Sequence, residues 1–276
     1  MRKFKFILLA VVLFTGFSFC SSSEEKEGSP DEAVVTDELK QEVKIGKALA
    51  ARLVKKYGIV KNEGVTRYLN LMANSLGSVS QRPNLKMRVG ILDTDEVNAF
   101  ACGGGYVLVT KGTLKRMKNE AELAFVMAHE MAHMVLGHSV KVKKQGGFVE
   151  FIANFLGGGG ALMNMAIEQA SAEMEKQLLE TGRSKEYELA ADRDGLILAS
   201  ISMTYDYSAG IEYIKRSGAA ASKEDELRNK THPPYSERVA QMEGLVKEQG
   251  LPKSGKFNDA RFQREMATLF SDSSSK

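Results

Sequence analysis

Three of the chain's four histidines fall in one stretch, Asn119 to His138 (NEAELAFVMAHEMAHMVLGH). Apolar Leu123, Val126, Met127, Met131, Met134 and Val135 recur in it at spacings of three and four, the period of a helix. On such a helix His129 and His133 leave the same face one turn apart, close enough to grip one metal ion. Glu130, beside the first histidine, can reach a water held by that metal. The HExxH arrangement therefore offers two zinc ligands and a general base. His138 lies five residues after His133, points off that face, and reads as a cap or surface residue.

A hydrolytic zinc takes three protein ligands and leaves a position for water. Glu188, in the helical stretch Ser184 to Ser200 (SKEYELAADRDGLILAS), is the best candidate for the third ligand. Asp192 shares its face one turn later and can accept a hydrogen bond from a ligand imidazole, fixing its tautomer. By itself that spacing marks the solvated face of a charged helix; beside the histidine pair in an exported chain it reads as the rest of a metal site. One zinc ion per chain would bring its bound water's pKa near 7 and polarise a scissile carbonyl. Glu130 would take the water's proton and pass it to the leaving amine. The oxyanion needs a further donor, and His232, held by two prolines, and Arg238 are the candidates.

The elements that must position these residues follow from pattern and punctuation. Asp37 to Tyr57 reads as an amphipathic helix ended by Gly58, and Asn62 to Leu76 as a second, stopped by Gly77. Leu85 to Leu92 alternates as a strand. Val97 to Ala101 and Tyr106 to Thr110 are two short strands around Gly103, Gly104 and Gly105, which permit backbone forbidden to other residues. That pair reads either as a plain hairpin or as an edge that pairs with an extended peptide. Segments 146–169 (GGFVEFIANFLGGGGALMNMAIEQ) are apolar but broken by glycines and Glu150. They read as a mobile flap over a cleft or as a helical hairpin packed in the core. Helices are also expected over Gly112 to Met117, Ser171 to Leu179, Tyr207 to Arg216 and Tyr235 to Lys247, and a loosely packed polar tail after Gly250.

The first residues carry Arg2, Lys3 and Lys5, then an apolar run from Phe6 to Phe14, then Thr15, Gly16 and Ser18. That is the layout of a secretory signal peptide over 1–19, and the run is short for a permanent span. Cys20 followed by three serines reads as the acylated first residue of a lipoprotein, with ordinary cleavage or a retained anchor as alternatives. Residues 20–36 are a polar tether. Removing the three leader cations from 38 basic residues leaves 35 against 35 acidic, so no basic face for nucleic acid is implied.

The motifs NAFA (Asn98, Ala99, Phe100, Ala101), GGYVLVTKGTL, HEMAH, ELAAD (Glu188 to Asp192) and HPPYSER (His232 to Arg238) occur in one order. In that order the chain resembles the zinc metallopeptidase family of the CAAX prenyl proteases and HtpX, in its soluble periplasmic branch, over roughly 38–250. The resemblance implies a mainly α gluzincin fold with a small β element (α+β) in a peptidase domain over 37–250. It implies zinc on His129, His133 and Glu188, Glu130 as base, and Asp192 behind the ligands. It makes Asn98 to Ala101 a substrate-pairing edge and lets the His232 loop act as a latch or as a transition-state donor. Cys102-Gly103 stands where relatives often have proline before the paired glycines. The expected function is hydrolysis of misfolded or unassembled envelope proteins in the periplasm, by a protein held at the outer membrane through Cys20. The alternative is a chaperone-like factor holding outer-membrane clients in the same cleft. Oligomeric state is not legible.

Overall fold

The structure is a computed structural model that describes residues 37–137, 160–202, 204–219, 233–251 and 255–271. The expectations for the signal peptide, Cys20, the tether, His138, residues 146–159 and His232 lie outside the described residues.

Helix α1 (Asp37–Tyr57) and helix α2 (Glu63–Ser78) lead into strands β1 (Arg88–Leu92), β2 (Ala99–Gly103) and β3 (Tyr106–Thr110). Short helix α3 (Lys111–Arg116) and the long helix α4 (Glu120–Val135) follow. Then come α5 (Ala161–Lys176), running into a π-helical turn at Gln177–Thr181, and α6 (Lys185–Ile197), running into a second at Leu198–Ser202. Helices α7 (Tyr207–Ala219), α8 (Tyr235–Gln249) and α9 (Asp259–Ser271) complete the described elements. The fold is mainly α with one small sheet, as the motifs imply. No helix among the described residues is long and apolar enough to cross a membrane.

The sheet has the order β1-β3-β2, with β1 parallel and β2 antiparallel to β3. Strand β2 is thus an edge. Successive side chains alternate between faces. Leu92, Phe100, Cys102 and Leu108 join Leu49 and Leu53 of α1 in one buried cluster. Val89, Ile91, Ala101, Val107 and Val109 face the larger core built with α2 and α4. Burial on both faces is why these strands are almost continuously apolar. Gly103, Gly104 and Gly105 have φ of 86°, 57° and 85°, the left-handed region that other residues avoid. They form the turn between β2 and β3, and a Cβ on Gly104 would lie 2.5 Å from Val43 Cα of α1. The glycines thus close a hairpin whose outer strand, β2, is an edge of the sheet.

Helix α4 is the hub. Every residue from Glu120 to Met134 is buried, so apolar residues surround it rather than line one stripe. Asn119 Oδ1 accepts from Glu122 N at 2.9 Å, and Glu122 Oε2 reaches back to Lys118 N at 2.9 Å, a reciprocal N-terminal cap. Helix α6 runs against α4 because Gly195 has no side chain there: a Cβ would lie 2.8 Å from His129 N.

Two expectations need correction. Helix α2 passes through Gly77 to Ser78, with Gly77 buried against Met87, so this glycine serves packing rather than termination. The tail after Gly250 is not loosely packed. Asp259–Ser271 forms α9, whose Phe262, Met266 and Leu269 are buried in the main core. Its polar composition hides a spacing of four and three that places those three apolar residues on one face.

Candidate metal centre

Helices α4 and α6 bring the ligand candidates together. His129 Nε2 and His133 Nε2 lie 3.2 Å apart, and Glu188 places Oε2 3.6 Å from the first and Oε1 3.4 Å from the second. A tetrahedral zinc with bonds of about 2.0–2.1 Å has ligand-to-ligand edges of about 3.3 Å. The three separations, 3.2, 3.6 and 3.4 Å, are close to that size. Two nitrogens and one carboxylate are also the donor set that leaves a fourth position for water. The group His129, His133 and Glu188 is buried throughout.

Behind it, His129 Nδ1 lies 3.0 Å from Asp192 Oδ1. An acceptor on Nδ1 keeps the proton there in the neutral ring and turns the Nε2 lone pair toward His133 and Glu188. Arg238 holds Asp192 from the far side, donating from Nε to Oδ2 at 2.7 Å and from Nη2 to Oδ1 at 2.6 Å. Burial raises the Asp192 pKa, but the Arg238 charge and hydrogen bonds outweigh it and hold the carboxyl well below the usual range. Burial lowers the His129 pKa, but the Asp192 and Glu188 carboxylates beside the ring raise it to about 9. Asp192 is therefore an anion placed to orient the ring of the candidate ligand His129.

Glu130 sits on the same turn as His129, against the sheet edge. Ala101 N donates to Glu130 Oε2 at 2.9 Å. No described residue hydrogen-bonds to its Oε1, and Glu130 lines a cleft that runs over α4. The cleft is also lined by Asn98, Ala99, Tyr213, Ile214 and Tyr235.

The structure divides the other candidates. Asn98 O accepts from Thr110 N at 3.1 Å, so Asn98 and, two residues on, Phe100 turn their backbone toward β3. Phe100 is also buried, its ring stacked 6.3 Å from Tyr57. Only Ala99 and Ala101 present backbone to the free edge. Arg238 belongs to Asp192 through two of its three nitrogens rather than standing alone at the cleft. One cleft residue escapes sequence reasoning. Arg183, in the link between the π-turn and α6, donates from Nη2 to Ala101 O at 3.2 Å. It belongs to none of the motifs, and only the fold brings it 82 positions back to the edge strand.

Residues 61–246 match the model of Peptidase family M48. Over 204 residues the chain is 26% identical to the beta-barrel assembly-enhancing protease of Escherichia coli K12, covering 73% of this chain and 39% of that protein. Over 189 residues it is 28% identical to the mitochondrial metalloendopeptidase OMA1 of Schizosaccharomyces pombe, covering 66% and 53%. A 95-residue stretch is 34% identical to a protease HtpX homolog of Methylacidiphilum infernorum, 31% of each chain. The chain thus spans about two-fifths of the length of the Escherichia coli relative. All of α1 and all of α9 lie outside the matched residues. The HExxH helix, the Glu188 helix and the sheet edge all lie inside them, and the chain belongs to peptidase family M48.

Proposed function

We propose that this protein is a zinc-dependent endopeptidase acting on misfolded or unassembled proteins of the cell envelope. The observation that carries the reading is the convergence of His129, His133 and Glu188 on one buried point, with Glu130 one residue from the first ligand and lining the cleft. The name of the Escherichia coli relative supports the substrate class. A zinc ion on those three side chains supplies Lewis acidity, acidifying water and polarising a peptide carbonyl.

The chain's own groups do the rest. Ala101 N fixes one Glu130 oxygen, so the other is aimed into the cleft to take a proton from water and return it to the leaving amine. Asp192 and Arg238 keep the His129 ring in its ligand orientation. With Nε and Nη2 committed to Asp192, Arg238 is a positioning residue, and His232 remains the candidate oxyanion donor. An extended substrate lies along the edge of β2. Cys20 anchors the protein as an acylated N-terminus on the outer membrane, which labelling with a radioactive fatty acid, lost in Cys20→Ser, would establish.

The test is cleavage of an unfolded protein by zinc-loaded protein against Glu130→Gln. Glu130→Gln should keep stoichiometric zinc and lose at least about a hundredfold in kcat, the scale of one general-base contribution. Equal cleavage by both forms, or none by either, would sink the proposal.

A further inference from the structure

The free edge of β2 is shorter than its sequence suggests. Backbone groups at Ala99 and Ala101 point away from β3, because Asn98, one residue earlier, points toward it. Both outward groups of Ala101 are already taken: its N–H by Glu130 and its C=O by Arg183. At Ala99 the N–H is covered only by the neighbouring Asn98 Oδ1, at 2.9 Å, and the C=O has no partner among the described residues. An added strand can therefore pair at Ala99. It cannot pair at Ala101 without displacing the general base.

A peptide that pairs at Ala99 must thus leave the edge beside Glu130. There its next outward-facing carbonyl loses the ladder donor that a continuing strand would have offered. A carbonyl left without a donor in a cleft carries a desolvation cost. Arg183 lines the cleft at that point. It makes one hydrogen bond, to Ala101 O, and no ion pair among the described residues. A guanidinium carries five N–H donors in a rigid fork, so one can hold Ala101 while another faces the substrate.

Resting on the peptidase reading above, we infer that Arg183 is a substrate-binding residue. It donates to the backbone carbonyl of the peptide residue that leaves the edge strand past Ala99, taking over the role that Ala101 cannot play. The interaction ends strand pairing at the reaction centre and holds the departing backbone next to Glu130. It reads the main chain, so it selects for extended, unfolded polypeptide without regard to side chain.

The test uses a peptide with a single cleavage site, together with versions shortened residue by residue from either end. Arg183→Ala should raise KM for the full peptide about tenfold, the scale of one charge-assisted hydrogen bond, with kcat within about twofold. Shortening from one end should abolish that penalty once the departing residue is removed; shortening from the other should not. Arg183→Lys, which keeps a donor, should recover part of the loss. The same comparison is made by fluorescence anisotropy with fluorescein-labelled peptides on metal-free protein, which reads binding without turnover. Zinc content and circular dichroism check that each variant is folded. A penalty equal for all lengths means that Arg183 only supports the hairpin, and overturns the inference. So does no penalty at any length. Failure of the peptidase reading looks different: wild-type protein then cleaves nothing, while the length-dependent binding loss in Arg183→Ala persists.

Discussion

The two ends of helix α4 are held by the same chemistry for different ends. Near its C-terminal half, the carboxylate of Asp192 is gripped by Arg238 and touches His129. At its first residue, Glu120 is fully buried and takes Tyr68 Oη at 2.8 Å, Tyr205 Oη at 2.6 Å, Asn258 Nδ2 at 2.8 Å and the guanidinium of Arg261. Each end has a buried anion matched by arginine, as a buried charge requires. The first pair lies against a candidate ligand, His129. The second ties α2, the segment just before α7, and α9 to the start of the helix, where a negative charge also suits the helix dipole. The difference teaches that one helix has its chemistry set at one end and its position set at the other.

The largest effect expected is from removing α9. A chain ending at Gly250 loses Arg261 and Asn258 from Glu120 and uncovers the surface that Phe262, Met266 and Leu269 bury. It should fail to fold, read as loss of the cooperative thermal transition. A folded, zinc-binding truncation would show the second clamp to be dispensable. Next, Asp192→Ala leaves Arg238 as a buried cation without its partner and His129 without its acceptor. It should cost about 3–5 kcal/mol in urea unfolding and weaken zinc binding by about 10–100-fold in a chelator competition.

Glu120→Ala sharpens the contrast. Unfolding stability should fall by about 2–3 kcal/mol, because several buried donors lose one acceptor. Zinc affinity should stay within about threefold; a loss as large as that of Asp192→Ala would mean the two ends are coupled. Arg261→Ala should be mildest, about 1 kcal/mol, since its side chain is half exposed and solvent screens the pair.

The same clamp has a pH signature. Burial raises the Glu120 pKa, but hydrogen bonds from Arg261, Tyr205, Asn258 and Tyr68 prevail and lower it. Its folded pKa is thus below its unfolded value of about 4.3. The ionised carboxylate therefore adds stability above that value, and the contribution is lost as pH falls through the folded pKa. The stability gap between wild type and Glu120→Gln should be full at pH 7 and close as pH falls through the lowered folded pKa. A gap independent of pH would show that shape, not charge, matters at this end.

These two ends were not equally legible. His129, His133 and Glu188 announce themselves because metal ligation demands particular residue types at helical spacing. The helices α1, α2, α4 and α6 follow from apolar period and caps, and their chemical faces follow with them. Glu120 is one glutamate among many in a charged chain. Its role depends on partners at positions 68, 205, 258 and 261, which no local pattern connects. Helix α9 is hard to read because Phe262, Met266, Leu269 and Phe270, which carry its period, stand among polar residues that read as tail.

By itself, then, the sequence determined the candidate ligand types, the helices that carry them and the candidate general base, since each rests on spacing within one element. Only the tertiary structure decided what surrounds them: that Arg238 serves Asp192, that Phe100 turns into the core, and that Ala101 is occupied on both sides by Glu130 and Arg183. The physical reason is range. Helical and strand periods act over a few residues, whereas buried charges and strand edges are satisfied by whatever the packed chain brings within about 3 Å.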